Sequence, residues 1–218
     1  MHLFRRLFLS VIVWAAAFST STLAQSAFAG QVRVSLFDDA GVSEATLREA
    51  QATASTIFAE AGVDVDFLDC HPRYPSDFLP SHSDCSDLAW PKHLSVRIIP
   101  RGRSVGADIF GQAFVDNFGQ GVYSNIYYQN LALSPNHPRV SNGDMLGYVI
   151  AHEVGHLLLG TNSHSATGLM QAVWRPHVFD GGRKPSLVFS RAEVAVLRSR
   201  VQNTSALSAP SFRDSNRL

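Results

Sequence analysis

The residues of this chain best suited to chemistry lie in one stretch, "AHEVGHLLLGTNSHSATGLMQ", from Ala151 to Gln171. His152 and His156 are four apart, so on a helix they sit one turn above each other on the same face. Two imidazoles placed that way can point at one ion about 2.0–2.1 Å from each nitrogen. Glu153 is turned about 100° round the helix and falls short of that face, yet it can reach a water beside the ion. The pattern therefore divides the labour: histidines bind a metal and a carboxylate moves a proton. By chance a His-Glu-x-x-His string occurs in on the order of one per cent of chains of this size. Here it lies on an apolar helix, where buried histidines without partners would cost several kcal/mol in unmet hydrogen bonds. A metal removes that cost. A catalytic zinc takes a third protein ligand and keeps a position open. His164, four residues beyond the helix-breaking Gly160, is the nearest candidate.

Positioning these groups requires a frame, and the rest of the sequence supplies one. "QVRVSLFDDAG" alternates Val32, Val34 and Leu36 with polar residues, the pattern of a half-buried strand. Ser43 is placed to cap a helix whose apolar residues, from Ala45 to Ala61, recur at helical spacing until Gly62. A second strand follows over Val63 to Leu68, so strand, helix and strand make a right-handed unit with the two strands parallel. "HLSVRIIP" predicts a strand over Leu94 to Ile99, and "GQAFVD" and "GVYSNIYYQN" predict two more. Asp144 opens the next helix, with Leu146, Val149, Ile150, Val154, Leu157 and Leu158 as its apolar face and Gly160 as its stop. Ser190 and Glu193 form a capping box ahead of a short terminal helix, "VAVLRSRV", and fraying is expected beyond Asn203.

The stretch that runs on through "HSATGLM" to Met170 resembles the metzincin zinc metallopeptidases. Their pattern is His-Glu-x-x-His, a glycine that breaks the helix, a third histidine, and a methionine turn beneath the metal. "HS" followed by "GLM" is most similar to the matrixin branch. Spacing departs from the family: Gly160 follows His156 by four residues rather than three, and His164 follows Gly160 by four. The added Leu159 can prolong the helix and "TNS" can lengthen the loop. Nor is there a Tyr two residues after Met170, where some metzincins carry one; Ala172 stands there. No pro-segment and no cysteine-switch motif are seen.

The resemblance implies an α+β metzincin-like zincin domain: a twisted mixed sheet, two long helices of which one carries the histidines, a methionine turn and a C-terminal helix. It implies Zn2+ held by His152, His156 and His164, Glu153 as general base, Met170 as a packing residue, and a polypeptide substrate. An edge strand at "GQAFV" would pair with extended substrate, and Ala172 to Trp174 would wall a side-chain pocket. Two other readings remain. In one the third ligand is an acid, Glu193 or Asp180; in the other the metal stabilises a non-catalytic binding domain. No nucleophile-elbow motif supports a serine or cysteine hydrolase. His71, His82, His93, His137 and His177 are expected to be ordinary solvated or hydrogen-bonded residues.

Composition narrows the setting. With 45% hydrophobic residues and 18 basic against 18 acidic side chains, the 218-residue chain is an ordinary globular one with no basic footprint for nucleic acid. Residues 1–29 read as a secretory signal: Arg5 and Arg6, an apolar run from Leu7 to Phe18, and "AFA" before Gly30. That run is shorter than the about 20 residues needed to span a bilayer, so no stable membrane insertion is expected once it is removed. "RRLFL" fits the twin-arginine route and the apolar run fits the general one, which leaves the export path open. The mature protein would be secreted or periplasmic and monomeric, with a catalytic domain over 30–203 and a disordered tail over 204–218. An oxidising compartment favours pairing Cys70 with Cys85, which close a loop whose bridging is worth roughly 3 kcal/mol by chain entropy. A metal site built from these cysteines with His71 and His82 lacks the tight spacing of zinc knuckles.

Overall fold

In the computed structural model, residues 28–70, 84–101, 106–133, 140–175, 178 and 187–207 are described. Strand β1 (Gln31–Asp38) leads into helix α1 (Glu44–Glu60) and strand β2 (Asp64–Asp69). The Ser43 side chain accepts from the Thr46 N–H, as a cap should. β1 and β2 pair in parallel, with Val32 opposite Val65 and Val34 opposite Phe67. β1 also pairs in parallel with β3 (His93–Ile99), and β3 with β5 (Tyr123–Tyr127). β4 (Gly111–Phe114) runs antiparallel to β5 at the end of the order β2-β1-β3-β5-β4, so one of its edges pairs with no other strand among the described residues.

Alternation along the strands builds the core. Val32, Val34 and Leu36 of β1 join Leu94, Val96 and Ile98 of β3 and Ile126 of β5 in one apolar cluster with the three long helices. α1 adds Ala54, Ile57 and Phe58, and α3 (Asn142–Leu159) adds Leu146, Ile150, Val154 and Leu157. α4 (Arg191–Leu207) closes the cluster with Leu197 and Val201. The molecule is thus a mixed α/β fold with a five-stranded mixed sheet and, among the described residues, four helices. None of them is long and apolar enough to cross a membrane. Cys70 and Cys85 are joined, with their Cα atoms 5.8 Å apart.

Four boundaries differ from expectation. The strand expected over 121–130 ends at Tyr127, and a short helix α2 (Tyr128–Ala132) takes over. Its neighbour β3 runs out at Pro100, which has no N–H to extend the ladder, and the Gln129 N–H turns to the Pro100 carbonyl, 2.9 Å away. β4 stops at Phe114 because Asp116 closes a turn, its side chain accepting from the N–H groups of Phe118 and Gln120. α3 starts at Asn142 rather than Asp144, since Ser141 is the cap and accepts from the Asp144 N–H at 3.0 Å. The terminal helix begins at Arg191 and continues through Leu207, past Asn203. Residues 1–27 of the segment expected to be a secretory signal (1–29) and residues 208–218 of the expected tail (204–218) lie outside the described residues, as do His71, His82, His137, His177 and Asp180.

Candidate metal centre and cleft

α3 differs from an ordinary amphipathic helix in being buried from Gly143 to Leu158 without a break. His152, Glu153 and His156 are therefore buried with it, at 8%, 4% and 4% exposure. Each histidine is oriented by a carbonyl. His152 Nδ1 donates to Leu169 O at 2.9 Å and His156 Nδ1 to Thr161 O at 2.7 Å. A carbonyl oxygen can only accept, so both Nδ1 atoms carry protons and both Nε2 atoms carry lone pairs. Those two Nε2 atoms face each other at 3.0 Å.

His164 completes the group. Gly160 takes the left-handed conformation, φ 63°, which a residue with a side chain adopts at a cost, and its N–H returns to His156 O at 2.9 Å. The chain then doubles back, and His164 comes to 5.4 Å from His152 and 4.9 Å from His156, ring centre to ring centre. One ligand nitrogen from each of the three rings lies within 4.8 Å of the others, an arrangement able to hold a metal ion, with His164 on the exposed side. The two extra residues in the spacing are absorbed by Leu159, the last residue of α3, and by the loop after Gly160. Burial holds His152 down to about 4; its bond to Leu169 opposes this, and His156 and His164 add to the lowering. Burial lowers His156 too, against its bond to Thr161. Both shifts favour the neutral imidazole, the form that ligates metals.

Glu153 faces β4. Its burial pushes the carboxyl up to about 8, while a hydrogen bond from the Ala113 backbone pulls the other way. Gly111 makes the approach possible: a Cβ there would lie 2.5 Å from the Glu153 Oε1. Helix and edge strand thus meet through one carboxylate.

Met170 is buried, its Sδ 2.9 Å from where a Cβ on Gly155 of α3 would lie, and its carbonyl accepts from the Ser165 N–H at 2.7 Å to close the 165–170 turn. Leu169 N–H ties the same turn to Val188 O at 2.9 Å. Glu193 is not part of the histidine cluster. Its Oε2 accepts from the Ser190 N–H at 2.6 Å, its own N–H donates to Ser190 Oγ at 3.3 Å, and its Oε1 takes the Ser165 hydroxyl. The capping box is therefore present, and Glu193 is committed to it. His93 is buried on β3 with its Nε2 2.7 Å from Ser35 Oγ, remote from the cluster.

The histidines and Glu153 line a cleft of about 980 Å³, together with Phe110 to Ala113 and Ala172 to Trp174. Two side chains brace this lining: Trp174, expected in the pocket wall, and Asn130, which no motif singled out. Trp174 donates from Nε1 to Leu169 O at 3.0 Å, sharing that carbonyl with His152. Asn130 of α2, also buried, donates from Nδ2 to Gly106 O and Ile109 O and so holds the segment that leads into β4.

The sequence matches no protein-family model and no curated protein. Solved structures are similar to it. Metalloproteinase-II from Bacteroides fragilis is 15% identical with a TM-score of 0.52; the match covers 82% of this chain and 55% of that one, so the chain spans little more than half of its length. Archaemetzincin from Methanopyrus kandleri is 14% identical with a TM-score of 0.50, and the match covers 83% of this chain and 99% of that one. At such identities the likeness is one of fold, and the fold is that of zinc-metallopeptidase structures.

Proposed function

We propose that this chain is a zinc-dependent endopeptidase of metzincin type, nearest the matrixin branch in its "HS" and "GLM" residues, exported to act outside the cytoplasm. The observation that carries the reading is the pair of Nε2 lone pairs 3.0 Å apart, each fixed by a carbonyl on the far side of its ring. Two neutral imidazoles so arranged repel unless a cation sits between their nitrogens. An all-nitrogen set of three histidines suits Zn2+, and the shared fold points to the same metal. His152, His156 and His164 would hold it, and Met170 would pack beneath as the methionine turn.

Bound there, zinc supplies a Lewis acid for a substrate carbonyl and lowers the pKa of a water toward about 7. With the positive charge of the bound ion favouring its ionised form over the protonated one that burial favours, Glu153 takes the proton of the attacking water and delivers it to the leaving amine. The open edge of β4 binds extended polypeptide by β-augmentation, and Ala172 to Trp174 wall the pocket for a neighbouring side chain. The acid-ligand alternative is disfavoured for Glu193 by its engagement with Ser190 and Ser165.

Zinc analysis and digestion of a peptide library test the reading together. Wild type should hold one zinc and cleave, and chelation should stop cleavage. Glu153→Gln should keep zinc near one equivalent and lose hydrolysis by orders of magnitude. A wild type that binds zinc but cleaves nothing would favour the non-catalytic, zinc-stabilised domain.

A further inference from the structure

α4 reaches the site from behind, through Arg200. The guanidinium Nη1 of Arg200 donates to Gly119 O, 3.0 Å away, in the turn that joins β4 to β5. The same group packs directly on the C-cap of α3: a Cβ on Gly160 would lie 2.1 Å from Nη1 and 2.4 Å from Gly119 O. Its Cζ lies 5.6 Å from the centre of the Trp90 ring, and Trp90 donates from Nε1 to Leu157 O at 3.0 Å. Leu157 is in the last turn of α3, where carbonyls have no partner within the helix, and a cation beside that end also complements the helix dipole. One side chain therefore touches the hairpin of the edge strand and the end of the histidine helix at once.

Both contacts lead to functional groups within a few residues. On the helix side, Gly160 sets the path to Thr161, whose carbonyl orients His156. On the hairpin side, the Asp116–Gln120 turn fixes the far end of β4, whose Ala113 backbone bonds Glu153. We propose that Arg200 is a positioning residue: it locks the β4–β5 hairpin against the C-cap of α3 and thereby fixes both the orientation of His156 and the width of the cleft. This assignment rests on the metal and peptidase reading above. It concerns a residue of the terminal helix, 36 positions beyond His164 in the sequence (200 − 164).

Arg200→Ala, Arg200→Met and Arg200→Lys, in the full chain, test it through zinc affinity and through kcat and KM separately. Loss of a partner that orients a ligand typically weakens metal binding about 10–100-fold. Arg200→Ala should show a loss in that range, with a raised KM for long peptides that span the edge strand. Arg200→Lys should recover little, because an ammonium cannot reach Gly119 O while lying over Trp90. Millimolar guanidinium should restore zinc affinity to Arg200→Ala but not to Arg200→Met, whose side chain fills the space. A variant that is merely less stable would gain nothing, because millimolar guanidinium hardly alters stability. Wild-type zinc affinity and KM in Arg200→Ala, or a loss that guanidinium leaves unchanged, would overturn the assignment. If wild type binds zinc and cleaves nothing, the peptidase reading falls, and zinc affinity with guanidinium rescue decides the role of Arg200 alone.

Discussion

The two long helices of the sheet's core, α1 and α3, have nearly equal lengths, 17 and 18 residues, yet they are used differently. α1 buries one stripe, Ala50, Thr53, Ala54, Ile57 and Phe58, and shows the rest to solvent. α3 is buried on every side, and among its buried residues are two histidines, a glutamate and an aspartate. Nothing in general folding physics calls for polar groups in that position, because each costs desolvation unless it is paired. Asp144 is paired, receiving the Thr53 hydroxyl at 2.6 Å. His152 and His156 are satisfied only on one nitrogen each by the backbone, and the other nitrogens point at each other. The contrast separates a helix that builds the domain from one that the domain is built around.

The sharpest way to break this contrast is at the third histidine. His164→Ala should weaken zinc binding by orders of magnitude and eliminate cleavage, while leaving the fold, since His164 is exposed. Its counterpart is Glu193→Gln, which keeps the side chain's size and one acceptor. That variant should retain zinc and cost about 1–2 kcal/mol, the worth of a weakened cap. Metal content and thermal unfolding distinguish the two. If His164→Ala kept zinc while Glu193→Gln released it, the assignment of ligands would be inverted and an acid would be the third.

How far this was readable beforehand follows the range of the interactions. The parallel β1-α1-β2 unit, the Ser43 cap, the Gly160 stop and the Ser190–Glu193 box depend on residues within a few positions of one another, and all are found. His152 and His156 are equally local. Groups that act across the sheet were not readable. Gly111 leaves room for Glu153 because β4 passes beside α3, and nothing near Gly111 in the sequence announces that approach. Asn130 likewise works through the carbonyls of Gly106 and Ile109, which only the fold brings close. The missed helix α2 has the same origin, since Pro100, 28 residues earlier than Tyr128 (128 − 100), decides where the ladder must stop.

The contact between the two helices offers a middle-sized effect. Thr53→Val keeps the shape of the side chain and removes the hydroxyl from Asp144, both residues being buried. A hydrogen bond to a charged group is worth about 1.5–3 kcal/mol, so the unfolding temperature should fall by roughly 4–8 °C. Zinc stoichiometry and kcat should stay as in wild type, because the lesion lies on the face of α3 turned to α1. Loss of metal in Thr53→Val would show that α1 is part of the site's support, and the division between the helices would need redrawing.

The smallest effect is expected on the outward face of α1. Arg48 and Glu44 are one turn apart and in ion-pair contact, with the acid on the N-terminal side, the better order for a helix. Their side chains are 65% and 62% exposed, so water and salt screen the pair and the two flexible chains lose entropy in forming it. Glu44 also lies in the first turn, where its charge favours the helix start whether or not Arg48 is present. Arg48→Ala should therefore cost less than about 0.5 kcal/mol, part of it offset by alanine's higher helix propensity. Thermal unfolding at low and at 1 M salt checks this: wild type and variant should differ by no more than about 2 °C at low salt and converge at high salt. A larger, salt-independent loss would mean that Arg48 packs on the helix through its methylenes, and that even the exposed face of α1 is less dispensable than its exposure implies.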